Sequence, residues 1–126
     1  MAKITGGTHE GSVSKTVTNS DVIRRAAPEL IENNTSPATA SSDTYSFAML
    51  ILECITEDVP FYEIPHDTVV IHTRINKKQC PPRPDGKHER RRISDDLWEL
   101  MNNCWAFKAK DRPTMERVHR FFLHGA

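Results

Sequence analysis

The sequence predicts a mostly α-helical fold built around one central, buried helix. Three observations point there. A segment near the middle, Tyr45 to Ile55, is apolar on nearly every side. Two downstream segments repeat apolar residues at helical spacing behind a capping hydroxyl. No pair of stretches reads convincingly as paired strands. With 126 residues the chain fits a single domain, and 37% hydrophobic with 27% charged residues is ordinary for a globular protein.

Residues 1 to 22 are rich in Gly, Ser and Thr and have almost no apolar periodicity, so they read as a mobile loop. A second Ser, Thr, Ala and Pro stretch ends at Ser42, which is placed to cap a helix running from about Asp43 to Thr56. Tyr45, Phe47, Ala48, Met49, Leu50, Ile51, Leu52, Cys54 and Ile55 wrap around that helix. A helix apolar all round belongs in a core or a membrane, and this one is too short to span a bilayer. Its side chains, at roughly 1.5 to 3 kcal/mol for each large one buried, should carry most of the stability.

Pro60 and Pro65 bracket an irregular connection, Phe61-Tyr62-Glu63-Ile64. From His66 or Asp67 to about Asn76 a helix is predicted with Val70, Ile71 and Ile75 on one side, although Val69-Val70-Ile71 would suit a strand equally well. Cys80 to Gly86 is a proline-stiffened loop. Ser94 caps the next helix, with Asp95 and Asp96 at the positive end of its dipole and Leu97, Leu100, Met101, Cys104 and Trp105 as its buried stripe. Thr114 caps the last helix, with Met115, Val118, Phe121 and Phe122 expected inward.

Lys plus Arg total 17 and Asp plus Glu total 17, so the net charge predicts neither nucleic acid nor a membrane surface as partner. Between Arg74 and Arg92 the balance is local: eight basic residues against Asp85 and Glu89, a net of +6. That segment is either a solvated loop or a docking patch for an acidic protein segment, with Arg90, Arg91 and Arg92 at its centre. Cys54, Cys80 and Cys104 are odd in number and widely spaced, which indicates neither a disulfide framework nor a zinc site and suggests a reducing, cytoplasmic setting. The six His are scattered without a metal-like cluster.

Ala27-Pro28-Glu29, Ser42-Asp43-Thr44-Tyr45-Ser46-Phe47, Cys104-Trp105 and Arg112-Pro113-Thr114 occur in an order and at spacings that resemble the C-terminal lobe of a protein kinase domain. The wording is closest to the tyrosine-kinase and tyrosine-kinase-like branches. The resemblance implies that Glu29 and Arg112 pair as a structural clamp between distant parts of the chain. It implies that Asp43 stands where the family has an Asp holding the catalytic loop; without that loop Asp43 would serve the helix N-terminus. Residues 1 to 25 would be an activation segment, with Thr5, Thr8, Ser12, Ser14, Thr16, Thr18 and Ser20 as candidate phosphoacceptors, and residues 26 to 124 an incomplete C-lobe.

Phosphoryl transfer needs a Gly-rich cover, a phosphate-binding Lys, a catalytic-loop Asp and Asn, and a metal-binding Asp. The sequence has no G-x-G-x-x-G, His-Arg-Asp or Asp-Phe-Gly. No catalytic, cofactor or metal residue is therefore assigned, and ATP and Mg²⁺ are implied only for a complete kinase. Asp21 to Ala26 also departs from the family, placing Arg24 and Arg25 where an aromatic would shape the peptide-substrate pocket. Two readings follow. The chain is the downstream part of a kinase domain whose N-terminal portion lies elsewhere, or it is a non-catalytic remnant that binds proteins.

Overall fold

The computed structural model describes residues 20–33, 35–87 and 92–125, with Ser20 and Asp21 described by their backbone only. The hydroxyl-rich stretch from Thr5 to Thr18 lies outside these residues. Six α-helices are described: α1 Ser20–Arg25, α2 Pro28–Glu32, α3 Ala40–Thr56, α4 Asp67–Ile71, α5 Asp95–Cys104 and α6 Met115–His124. No strand occurs among the described residues. The mostly helical class is thus observed, and α3 is its centre: α1, α5 and the 3₁₀ turn Ala109–Asp111 all pack against it.

The loop expected through residue 25 gives way to helix at Ser20. Ile23, 5% exposed, anchors α1 in the core, and Arg24 and Arg25 sit in the last turn, where the dipole favours cations.

Helix α3 begins three residues earlier than the sequence suggested. The cap is Thr39, whose hydroxyl accepts from the Ser42 amide at 3.1 Å, while the Ser42 hydroxyl accepts from the Thr39 amide at 2.7 Å. Ser42 is therefore the return arm of a capping box rather than the cap itself. At the other end Glu57 takes the left-handed conformation (φ 63°), and its amide reaches back to the Glu53 carbonyl.

Burial around α3 is uneven. Tyr45, Ala48, Met49 and Leu52 are buried, whereas Leu50 is 50% exposed, Cys54 is exposed, and Phe47, Ile51 and Ile55 are only partly covered. The expected all-round enclosure is present on one side and open on the other.

The ambiguous Val69-Val70-Ile71 segment is helical, with Val70 fully buried. It runs directly into a π-helical turn, His72–Asn76, closed by the Lys77 amide on the His72 carbonyl at 3.1 Å. The extra residue in this turn swings Thr73 and Arg74 inward. Helices α5 and α6 start at Ser94 and Thr114, whose hydroxyls each accept an amide at 3.2 Å. In α6 Val118 is buried and Phe121 partly so, but Met115 (37% exposed) and Phe122 (50%) are not inward as expected. Phe122 instead sits at the edge of the core, edge-on to Phe47 of α3 at 6.4 Å between ring centroids.

Candidate functional site

Helix α2 opens with Pro28 in its first turn, where a missing amide costs nothing, and Ala27 before it is extended and fully buried. This fixes Glu29 in the first turn, facing Arg112 across the chain. The contact is bidentate: the two terminal nitrogens of Arg112 donate to the two carboxylate oxygens of Glu29, each at 2.8 Å. The remaining guanidinium donors go to the carbonyls of Ala106 (2.8 Å), Ser41 (3.1 Å) and Phe107 (3.1 Å). Four separate segments therefore meet at one planar cation. Burial by itself would raise the Glu29 carboxyl, but the hydrogen bonds and charge of Arg112 outweigh it and hold the group below its ordinary value. The structure brings Glu29 and Arg112 together, with Ala27 and Pro28 immediately before Glu29 in the chain.

Two further arginines do comparable work. Arg74, 1% exposed, donates to the carbonyls of Ile23 and Ala26, tying the π-turn to the α1–α2 corner. Its guanidinium lies 5.1 Å from the Tyr45 ring centroid, and that of Arg112 lies 4.9 Å from the same ring. Tyr45 of α3 is thus the shared aromatic partner of two buried cations. Burial pushes its phenol above the ordinary value. Arg24 donates to the carbonyls of Pro60 (3.0 Å), Phe61 (2.8 Å) and Ile64 (2.8 Å), and its head is 3.3 Å from Asp67. Arg25 pairs bidentately with Glu53 of α3 at 2.6 and 2.8 Å. The two arginines that looked like a departure in a substrate pocket are therefore internal braces.

Asp43 is exposed in the first turn of α3, its amide donating to the Thr39 carbonyl at 3.0 Å and its carboxylate standing at the positive end of the helix dipole. Trp105 is 2% exposed, terminates α5 and packs edge-on against Trp98 at 5.6 Å. It lies in the core, apart from the Arg112 cluster's hydrogen bonds. Of the basic patch, Arg92 is exposed and donates to the Gly86 carbonyl at 3.1 Å; Arg90 and Arg91 lie outside the described residues. Among the described residues no three His, Cys, Asp or Glu side chains converge as metal ligands. No transfer step is assigned to the described residues. No helix of the described residues is long and apolar enough to cross a membrane.

Arg74 was not found from sequence because its hydrogen-bond partners are backbone carbonyls, which carry no side-chain signature, and three of the four Arg24 partners are carbonyls as well, the fourth being Asp67. The one available signal was an Arg within an otherwise apolar helical stripe, Val70, Ile71 and Ile75.

A family described as protein tyrosine and serine/threonine kinase matches residues 4–122. The chain is similar to receptor-interacting serine/threonine-protein kinase 3 of Rattus norvegicus, 29% identical over 120 residues that cover 92% of this chain and 24% of the relative. It is similar to proto-oncogene tyrosine-protein kinase ROS of Homo sapiens, 30% identical over 76% of this chain and 4% of that protein. With tyrosine-protein kinase Abl of Drosophila melanogaster the identity is 29% over 81% of this chain and 6% of the relative. The chain thus spans at most about a quarter of the length of these three relatives.

Proposed function

The chain belongs to the protein tyrosine and serine/threonine kinase family, and on that premise we propose that it is the C-lobe frame of a protein kinase domain, contributing structure rather than phosphate chemistry. In the assembled domain the activity is ATP-dependent phosphorylation of protein Ser, Thr or Tyr. The observation that carries this reading is the open side of α3. A central helix that leaves Leu50 half exposed and Phe47 and Ile51 partly covered is shaped to be enclosed by more polypeptide. All three cysteines are unpaired, which supports a reducing, cytoplasmic setting. The test is peptide mass spectrometry of the endogenous protein. Peptides encoded upstream of Met1 that contain a Gly-rich loop, its partner Lys and a His-Arg-Asp are expected; a native product starting at Met1 overturns the reading.

A second reading is a non-catalytic module that binds other proteins, neither nucleic acid nor membrane. It is favoured by the self-contained bracing: Arg24, Arg25, Arg74 and Arg112 each find hydrogen-bond partners within the described residues. Under it the segment around Arg90, Arg91 and Arg92 docks an acidic tail. Charge reversal at the three positions should then weaken capture of that partner and flatten its salt dependence. Unchanged pull-down partners would sink it.

A further inference from the structure

The run of arginines that the second reading assigns to an acidic tail also stands directly upstream of a serine: Arg90-Arg91-Arg92-Ile93-Ser94. A hydroxyl with arginines two and three residues before it is what a serine kinase with an acidic substrate cleft selects, because cleft and segment match in charge. Whether that pattern can be used depends on how the fold presents Ser94.

Residues 92–94 lead into α5 without being helical, and Ser94 itself is extended (φ −63°, ψ 155°). Along extended backbone successive side chains alternate in direction. Ile93, 5% exposed, is turned into the core, which leaves Arg92 and Ser94 exposed together on the outer side. The Ser94 hydroxyl accepts from the Leu97 amide at 3.2 Å and donates to no acceptor among the described residues. Asp95 and Asp96 follow it, but both are already wound into the first turn of α5. A cleft that binds extended polypeptide therefore meets the basic side of Ser94 before the acidic side.

A counter-ion for the product is already in place. Arg83, fixed between Pro82 and Pro84, donates to the Ile93 carbonyl at 2.6 Å and to the Asp95 carboxylate at 2.8 Å, so its guanidinium bridges the two residues flanking Ser94. Both bonds use Nη2; Nε and Nη1 make no hydrogen bond among the described residues. A phosphoserine carries about −1.5 to −2 charge at pH 7, whereas Asp95 carries one and its side chain is 93% exposed. Arg83 therefore turns to the phosphate and leaves Asp95 to water. The phosphate oxygens meanwhile keep the first-turn amides of α5 capped.

We propose that Ser94 is a phosphoacceptor for an arginine-directed serine kinase acting in trans, with Arg92 as a recognition residue and Arg83 as the group that holds the phosphate. In the transfer the Ser94 oxygen bonds to the γ-phosphorus of a nucleoside triphosphate as the bond from that phosphorus to the bridging oxygen breaks. The nucleoside diphosphate leaves, and the hydroxyl proton passes to a carboxylate of the acting kinase. The proposal rests on neither functional reading, because its three residues belong to the cap of α5 and the loop before it.

The test treats the native-length protein with labelled ATP and the catalytic subunit of cyclic-AMP-dependent protein kinase, an arginine-directed enzyme, and maps the phosphate by mass spectrometry. Parallel reactions contain no added kinase, an acid-directed serine kinase, or a synthetic peptide of residues 88–99 in place of the protein. Phosphate is expected on Ser94 of the folded protein with the arginine-directed enzyme. Arg92→Ala should slow it at least about tenfold, and Ser94→Asn, which keeps a capping oxygen, should lose it entirely. The product should retain its helical circular dichroism, and Arg83→Ala should lower the Tm of the phosphorylated form more than that of the unmodified form. No phosphate on Ser94, labelling of the peptide but not the protein, faster labelling by the acid-directed kinase, or an unchanged rate in Arg92→Ala overturns the proposal. Loss of helix on phosphorylation, or equal Tm changes in the two forms of Arg83→Ala, overturns the role given to Arg83.

Discussion

The Arg112 guanidinium is the residue on which the largest number of segments depends, and its replacement is accordingly the most damaging single change expected. Arg112→Ala leaves Glu29 and the carbonyls of Ser41, Ala106 and Phe107 without their donor. Breaking such a buried pair typically costs about 3 to 5 kcal/mol, enough to unfold a marginal chain. Glu29→Gln should cost less, about 1 to 2 kcal/mol, because the carboxylate is about a third exposed and partly screened. Urea midpoints of the two variants give that order, and equal losses would show that Glu29 rather than the carbonyl set dominates. The pair also sets an acid limit. The Glu29 carboxyl is held below its ordinary 4.5, so its contribution is complete above that value and is lost as pH falls through the lower folded-state value. Urea midpoints should therefore fall between pH 5 and pH 3 more steeply for the parent than for Glu29→Gln. The thiols give a separate check on burial. Cys54 is exposed, Cys80 partly buried and raised, and burial pushes Cys104 up to about 11. A disulfide reagent at pH 8 should label Cys54 first and Cys104 only on unfolding; rapid labelling of all three would contradict the packing of α5.

Among the helices, α3 shows where local sequence decides and where it does not. Its N-terminus rests on two hydroxyls three residues apart, so Thr39→Ala should lower stability by about 1 kcal/mol and Thr39→Asp should restore most of it. If Thr39→Ala leaves the urea midpoint unchanged, the box is not what starts the helix. A hydroxyl at Ser42 was legible as a capping signal, but its placement was ambiguous because Thr39, Ser41 and Ser42 all offer an oxygen within one turn. The helix from Asp67 was equally underdetermined. Val69-Val70-Ile71 has strand-like composition, and only tertiary contact with α1, together with Arg74 reaching the Ile23 and Ala26 carbonyls, decides for a helix. The π-turn at His72–Asn76 has no sequence signature, since it serves to aim Arg74. The amphipathic α5, by contrast, could be read from its cap, its acidic first turn and its stripe, because each of these is local.

At the scale of the whole molecule, the clamp between Glu29 and Arg112 was legible because side chains 83 positions apart matched a known pattern, whereas the brace from Arg74 ends on carbonyls and that from Arg24 mostly does, so both were silent. The apolar wrap of α3 correctly marked it as central but could not tell which side this chain covers. That side is now defined: Leu50 with partly covered Phe47 and Ile51, continuing onto Phe122 (50% exposed) and Leu123 (63%) of α6. Apolar surface shared by two helices in this way should make the isolated chain self-associate. Leu50→Lys combined with Phe122→Lys is expected to lower its light scattering while changing stability by no more than about 0.5 kcal/mol, because neither side chain is buried here. Persistent association in the double variant would place the sticky surface elsewhere. The same Leu50→Lys also separates the two functional readings. In a kinase domain where upstream polypeptide covers α3, it buries a charge and removes apolar contact, so a loss of about 1.5 to 3 kcal/mol is expected from the missing burial alone. In a self-sufficient module it is nearly neutral. Measuring that one substitution in the native-length protein therefore reports whether the open side of α3 is an interior or a surface.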